Sequence, residues 1–188
     1  ECCAQSNRCT DAPGRSSARW GLGGAPEAGP EQTACLVIAP GNPDATYQAG
    51  FLAWSEKYYK RAEQVFGELY KANPKDARGL LGLTETLASQ NHIGEAIKLM
   101  QDSLVREPEN RDFRLALANL YVRDQRYDDA IKVLQDLLQK DPKSADLLLR
   151  LAETQRRKGD VNGAIETFRR ASQAAPSDPR PLLQLGLL

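Results

Sequence analysis

Along residues 43–178, apolar and small residues recur three and four positions apart, the spacing that gathers side chains on one face of a helix. One kind of face carries Ala49, Gly50 and Ala53, then Leu83, Thr84 and Leu87, then Leu117, Ala118 and Tyr121, then Leu151 and Ala152, where Gln155 interrupts it. Between these runs lies a second kind, in which Ala62, Ala96, Ala130 and Ala164 are each followed four residues later by Phe66, Met100, Leu134 and Phe168. The pattern predicts paired amphipathic helices of about 14 residues each. A small residue on the first helix opposite the alanine of the second lets two antiparallel helices approach closely. The large residue one turn further fills the gap above them.

Proline punctuates the pairs. Pro40, Pro74, Pro108, Pro142 and Pro176 stand at one 34-residue interval, and Asn42, Asp76, Asn110, Ser144 and Asp178 follow in the same register. Proline cannot continue the preceding helix, and a short side-chain oxygen two residues later can accept an orphan amide hydrogen bond of the next one. Asn91-His92, Gln125-Arg126 and Gly159-Asp160 read as tight polar turns inside the pairs, which forces the paired helices antiparallel. The units are 43–76, 77–110, 111–144 and 145–178. Self-similarity of this kind predicts a stack in which each unit buries its apolar face against its neighbours.

The pattern resembles the tetratricopeptide repeat: apolar or small residues at unit positions 4, 7, 8 and 11, alanine at 20, a large residue at 24 and proline at 32. Unit 111–144 carries it most fully, with Leu117, Ala118, Tyr121, Tyr127, Ala130, Leu134 and Pro142. Thr46 and Arg114 depart from the usual large residue at position 4, and Ala53, Leu87 and Gln155 from tyrosine at 11; local repacking is expected there. The resemblance implies an all-α fold, a right-handed superhelical solenoid of antiparallel helix pairs.

It further implies that the first helices line a concave groove through positions 2, 5, 6, 9, 12 and 13. The first unit then offers the aromatic cluster Tyr47, Phe51 and Trp54, and the second Arg78, Leu81, Glu85 and Ser89. The third offers Leu115, Asn119, Val122 and Arg123, and the fourth Asp146, Leu149, Arg150, Glu153, Arg156 and Arg157. Such a surface suits a protein or peptide partner with an apolar anchor toward one end and acidic groups toward the other. The chaperone-tail clamp known in this family is not expected, because Leu81, Leu115, Ala116 and Asp146 occupy its critical places.

Charge and composition narrow the function classes. The 25 basic and 25 acidic residues are spread evenly, so neither a nucleic-acid stripe nor an acidic tail stands out. No stretch approaches the ~18 consecutive apolar residues of a membrane span. The lone histidine, His92, reads as a solvated turn residue, and Asp128-Asp129 and Glu107/Glu109 as caps and solubilising charge. The expectation is a non-enzymatic interaction scaffold with no cofactor and no metal. The alternative is an accessory recruiting or assembly module of a larger enzyme or cell-envelope protein, of which this chain is a fragment.

The register extends past both ends of the four units. Residues 27–42, with Ala28, Cys35, Pro40 and Asn42 in phase, are expected to form a degenerate half-repeat. Residues 1–26, with Gly21, Gly23 and Gly24, show no periodicity and are expected to be a disordered leader. Cys2, Cys3 and Cys9 lack zinc-site spacing and fit free thiols, with a disulfide or lipid attachment as the other readings. Residues 179–188 begin a fifth unit with Leu182, Leu185 and Gly186 in phase, and Leu185, Leu187 and Leu188 offer a surface for self-association.

Overall fold

The structure, a computed structural model, describes residues 42–187 except position 75. The described residues form nine helices: α1 (Pro43–Ser55), α2 (Tyr59–Ala72), α3 (Ala77–Ser89), α4 (Ile93–Arg106), α5 (Arg111–Arg123), α6 (Tyr127–Lys140), α7 (Ala145–Lys158), α8 (Val161–Ala174) and the short α9 (Arg180–Leu185). Each helix packs on the next along the chain. The first helices of successive pairs also touch directly, α1 with α3 and α3 with α5. This inner row lies on the side that the repeat resemblance assigns to the groove, and it links the first three pairs directly. The expected leader, residues 1–26, and the expected half-repeat 27–42 apart from Asn42 lie outside the described residues, as does Leu188.

Packing follows the alanine register. Ala62, Ala96, Ala130 and Ala164 are each fully buried, opposite Gly50, Thr84, Ala118 and Ala152, which are buried too. Phe66, Met100, Leu134 and Phe168 fill the space above them. The junction between α2 and α3 is tighter than this scheme requires. A β-carbon added at Gly82 would stand 2.5 Å from the Phe66 ring, and one at Gly50 2.7 Å from the same ring. At Gly79 it would stand 2.7 Å from the backbone nitrogen of Tyr70. Phe66 therefore lies between two helices that have given up their side chains to admit it.

Helix starts and stops have local causes. Asn42 accepts from the amides of Asp44 and Ala45, Asn110 from Asp112 and Phe113, Asp76 from Arg78, and Asp178 from Arg180. Ser144 corrects the expectation for its place: its hydroxyl caps no amide and instead lies 3.5 Å from Arg111 Nη2, across the preceding helix pair. The turns inside the pairs all pass through a left-handed residue: Lys57, Asn91, Gln125 and Gly159. A single such residue reverses the chain in three positions, and side chains strain the backbone at three of the four sites.

Arg114, out of pattern at position 4, turns its guanidinium back to the Pro108 carbonyl at 2.7 Å and to Glu109. A cation is accommodated there because the helix connection supplies acceptors, and the core does not receive it.

Candidate functional site

At the N-terminal end of the inner row, α1 stacks three rings along one face, at helical spacings of four and three residues. Tyr47 and Phe51 centroids are 6.5 Å apart and nearly parallel, and Phe51 and Trp54 are 5.9 Å apart. Tyr47 also packs on buried Phe66 at 6.0 Å. Trp54 is half-buried and donates its indole N–H to Ser89 Oγ on α3 at 3.1 Å, so it ties two repeats together as well as facing the groove. Phe51 is the freer ring, 49% exposed.

Arg78 on α3 organises the edge of this cluster. Its Nη1 reaches Asp44 of α1 at 2.7 Å, its Nε and Nη2 bind Asp76, and its guanidinium lies 5.4 Å from the Tyr47 ring centre. The hydrogen bond from Arg78, with the charge behind it, holds the Asp76 carboxyl below its ordinary range. The two carboxylates leave Arg78 little capacity for a ligand.

Further along, Glu85 of α3 and Arg123 of α5 form an ion pair at 2.7 Å, across the repeat junction. A shallow depression of about 220 Å³ follows between α5 and α7, where Asn119, Arg123, Arg150, Glu153 and Arg157 meet around Val122 and Thr154. Arg150 donates to Asp146 at 2.9 Å and, more weakly, to Asn119 Oδ1 at 3.4 Å. The structure thus places the nine sequence-derived groove residues in two groups. Tyr47, Phe51 and Trp54 form one, and Glu85, Asn119, Arg123, Arg150, Glu153 and Arg157 the other.

Leu149 is buried at 5% exposure in the leucine core around Phe168, and its remaining surface lines a depression on the inner row. What the periodicity did not offer is α9 as a wall. Arg180, Leu183 and Gln184 border a second depression, about 280 Å³, with Asp146, Arg150 and Glu153 opposite. A signal existed in the register, since Asp44 and Arg78, like Asp146 and Arg180, occupy the same unit position one repeat apart.

Elsewhere several charged residues pair with one another. Asp128 pairs with Lys158, Asp129 with Arg126, and Glu109 with Lys140 and Arg114. His92 stands half-exposed at the start of α4, with Glu95 3.8 Å away. Among the described residues no group of three His, Cys, Asp or Glu side chains could hold a metal ion, and no helix is long and apolar enough to cross a membrane.

Comparison with known proteins bears on this geometry. Residues 115–179 match a family model described as tetratricopeptide repeat, and residues 53–120 and 87–137 match a second model of the same description. No curated protein sequence matches the chain. Among solved structures, a thermophilic TPR protein of Thermus thermophilus superposes with a TM-score of 0.68 at 18% identity, covering 83% of this chain and 86% of its own. YrrB, described as a TPR protein with an unusual peptide-binding site, gives 0.61 at 18% identity, with 84% and 80% covered. A MamA structure gives 0.58 at 20% identity, with 73% and 81% covered. At these identities the likeness is one of fold.

Proposed function

The chain belongs to the tetratricopeptide repeat family, and from that premise we propose that it is a non-enzymatic scaffold that holds an extended or helical segment of a partner protein along its inner row of helices. The observation that carries this reading is the contiguous ring face of α1. Three aromatic side chains share one surface, and its central member keeps half its area in water although a buried core lies one residue away. Exposed aromatic surface is unfavourable in isolation, at roughly 25 cal/mol per Å², and becomes an anchor when a partner covers it. The neighbouring Arg78 network fixes the cluster before any partner arrives, so little conformational freedom is lost on binding.

The test is a peptide-display selection on the immobilised protein, followed by titration of the recovered peptides. Phe51→Ala and Arg150→Glu should each weaken binding about tenfold or more, the scale of a groove anchor. Val105→Arg, on the 83% exposed outer face of α4, should not. Melting temperature serves as the control for each variant. Binding that survives both groove substitutions and is lost with Val105→Arg would place the partner on the outer face.

A further inference from the structure

The repeat register exposes a missing partner. Thirty-eight residues separate Glu85 from Arg123, whose side chains join α3 to α5 by an ion pair. The same step from Asn119 leads to Arg157, one junction further on. Asn119 cannot supply the carboxylate that Glu85 supplies, and its side-chain oxygen is already approached by Arg150. Among the described residues Arg157 has no ion pair and no side-chain hydrogen bond, yet it lines the same depression as Arg123 and Arg150. The other carboxylates near this surface are engaged, Glu85 by Arg123 and Asp146 by Arg150. Glu153, one turn before Arg157, is not within ion-pair distance of it, and Arg157 is exposed, where such a pair is weak.

Building on the groove reading above, we propose that this depression is a subsite for an aspartate or glutamate side chain of the bound segment. Its carboxylate would take the place beside Arg157 that Glu85 takes beside Arg123. The planar guanidinium offers a two-point contact to such a group, and Arg150 has a free Nη2 to contribute. Val122 and Thr154 on the wall of the depression suit the methylene stem of that side chain. The register explains why the subsite exists at this junction and not the previous one: the preceding arginine is neutralised from within.

The probe is an array of 12-residue peptides drawn from the display selection, each synthesised with every acidic residue in turn replaced by its amide. The wild-type protein should prefer the acid at one position by about tenfold, the scale of a charge-assisted hydrogen bond. Arg157→Gln should reduce that ratio to about one while leaving the aromatic anchor preference intact. Asn119→Glu should do the same by supplying the missing carboxylate internally, and Glu153→Gln should raise the ratio. Raising salt should shrink the preference without abolishing binding. Peptides that bind with no acid preference, or with one that Arg157→Gln leaves unchanged, overturn the subsite and spare the groove. Failure of every peptide to bind overturns the groove reading and the subsite with it. Melting temperatures of Arg157→Gln and Asn119→Glu close to wild type exclude misfolding as the cause.

Discussion

The first and fourth repeats carry the same aromatic side chain at the same phase, and they house it in different ways. Phe168 packs against Ala152 and a dense set of leucines, Leu147, Leu148, Leu149 and Leu151, and is fully buried. Phe66 is nearly as buried but belongs to a small cluster with Ala53 and Ala62, ringed by half-buried aromatics, and needs glycine on both flanking helices. Phase alone decides that a large residue points into the stack. How much room it finds is settled by the facing helices, which supply a methyl at Ala152 for Phe168 and none at Gly50 and Gly82 for Phe66. The repeat in which the ring is wedged between glycines is also the one that exposes an aromatic face, with Phe51 49% exposed.

The largest effect should come from emptying the two sites. Phe66→Ala and Phe168→Ala are each expected to cost about 3–5 kcal/mol. The comparison is sharpened by where the loss is felt. Contacts run between adjacent helices and neighbouring repeats, so hydrogen exchange should accelerate mainly over residues 43–106 in Phe66→Ala and over 111–174 in Phe168→Ala. Uniform acceleration in both variants would mean that the stack opens as one unit and that the two environments are energetically merged.

Next come the glycines. Gly82→Ala should destabilise by about 1–3 kcal/mol in urea unfolding, because the added methyl meets the Phe66 ring. Phe66→Leu in the same chain should recover part of that loss, a coupling that a double-mutant cycle reads directly. Gly79→Ala should not be recovered by the same change, since its methyl meets the Tyr70 backbone. Equal rescue of both would show that the junction yields as a whole.

The smaller effects concern turns and caps. Gln125→Gly is expected to raise stability, and Gly159→Ala to lower it, each by about 1 kcal/mol, since these residues occupy corresponding left-handed positions in the third and fourth repeats. The smallest effect is pH-dependent. Asp76 has its folded pKa lowered chiefly by the Arg78 hydrogen bond, so its contribution is present above the ordinary carboxylate value and is lost as pH falls through the lowered one. Asp76→Asn keeps an oxygen for capping and should lower stability at neutral pH while flattening the loss below about pH 4. An unchanged acid limb in melting curves would assign that loss to other carboxylates.

What the sequence made legible is whatever depends on one helix at a time. Helix spans, the buried alanine ladder and the asparagine and aspartate caps follow from local spacing and side-chain chemistry. The misses lie between helices. Ser144 has the right chemistry for a cap, but its hydroxyl is turned toward Arg111, a residue from the start of the previous helix pair. The close approach of Gly79 to the Tyr70 backbone has no counterpart in the spacing along either helix. The partition of the groove arginines into paired Arg123 and unpaired Arg157 needed the step across a junction as well as the step along a helix.

The close approach at Gly79 also acts as a hinge pin. At the α2–α3 junction Gly79 stands so close to the Tyr70 backbone that an added β-carbon would lie 2.7 Å from its nitrogen. Rotation at this point is levered over the length of the array. An added methyl that tilts α3 by a few degrees would swing the aromatic face of α1 relative to the arginines of α5 and α7. The span between a ligand's two grips is thereby gauged by one absent carbon, well away from either grip.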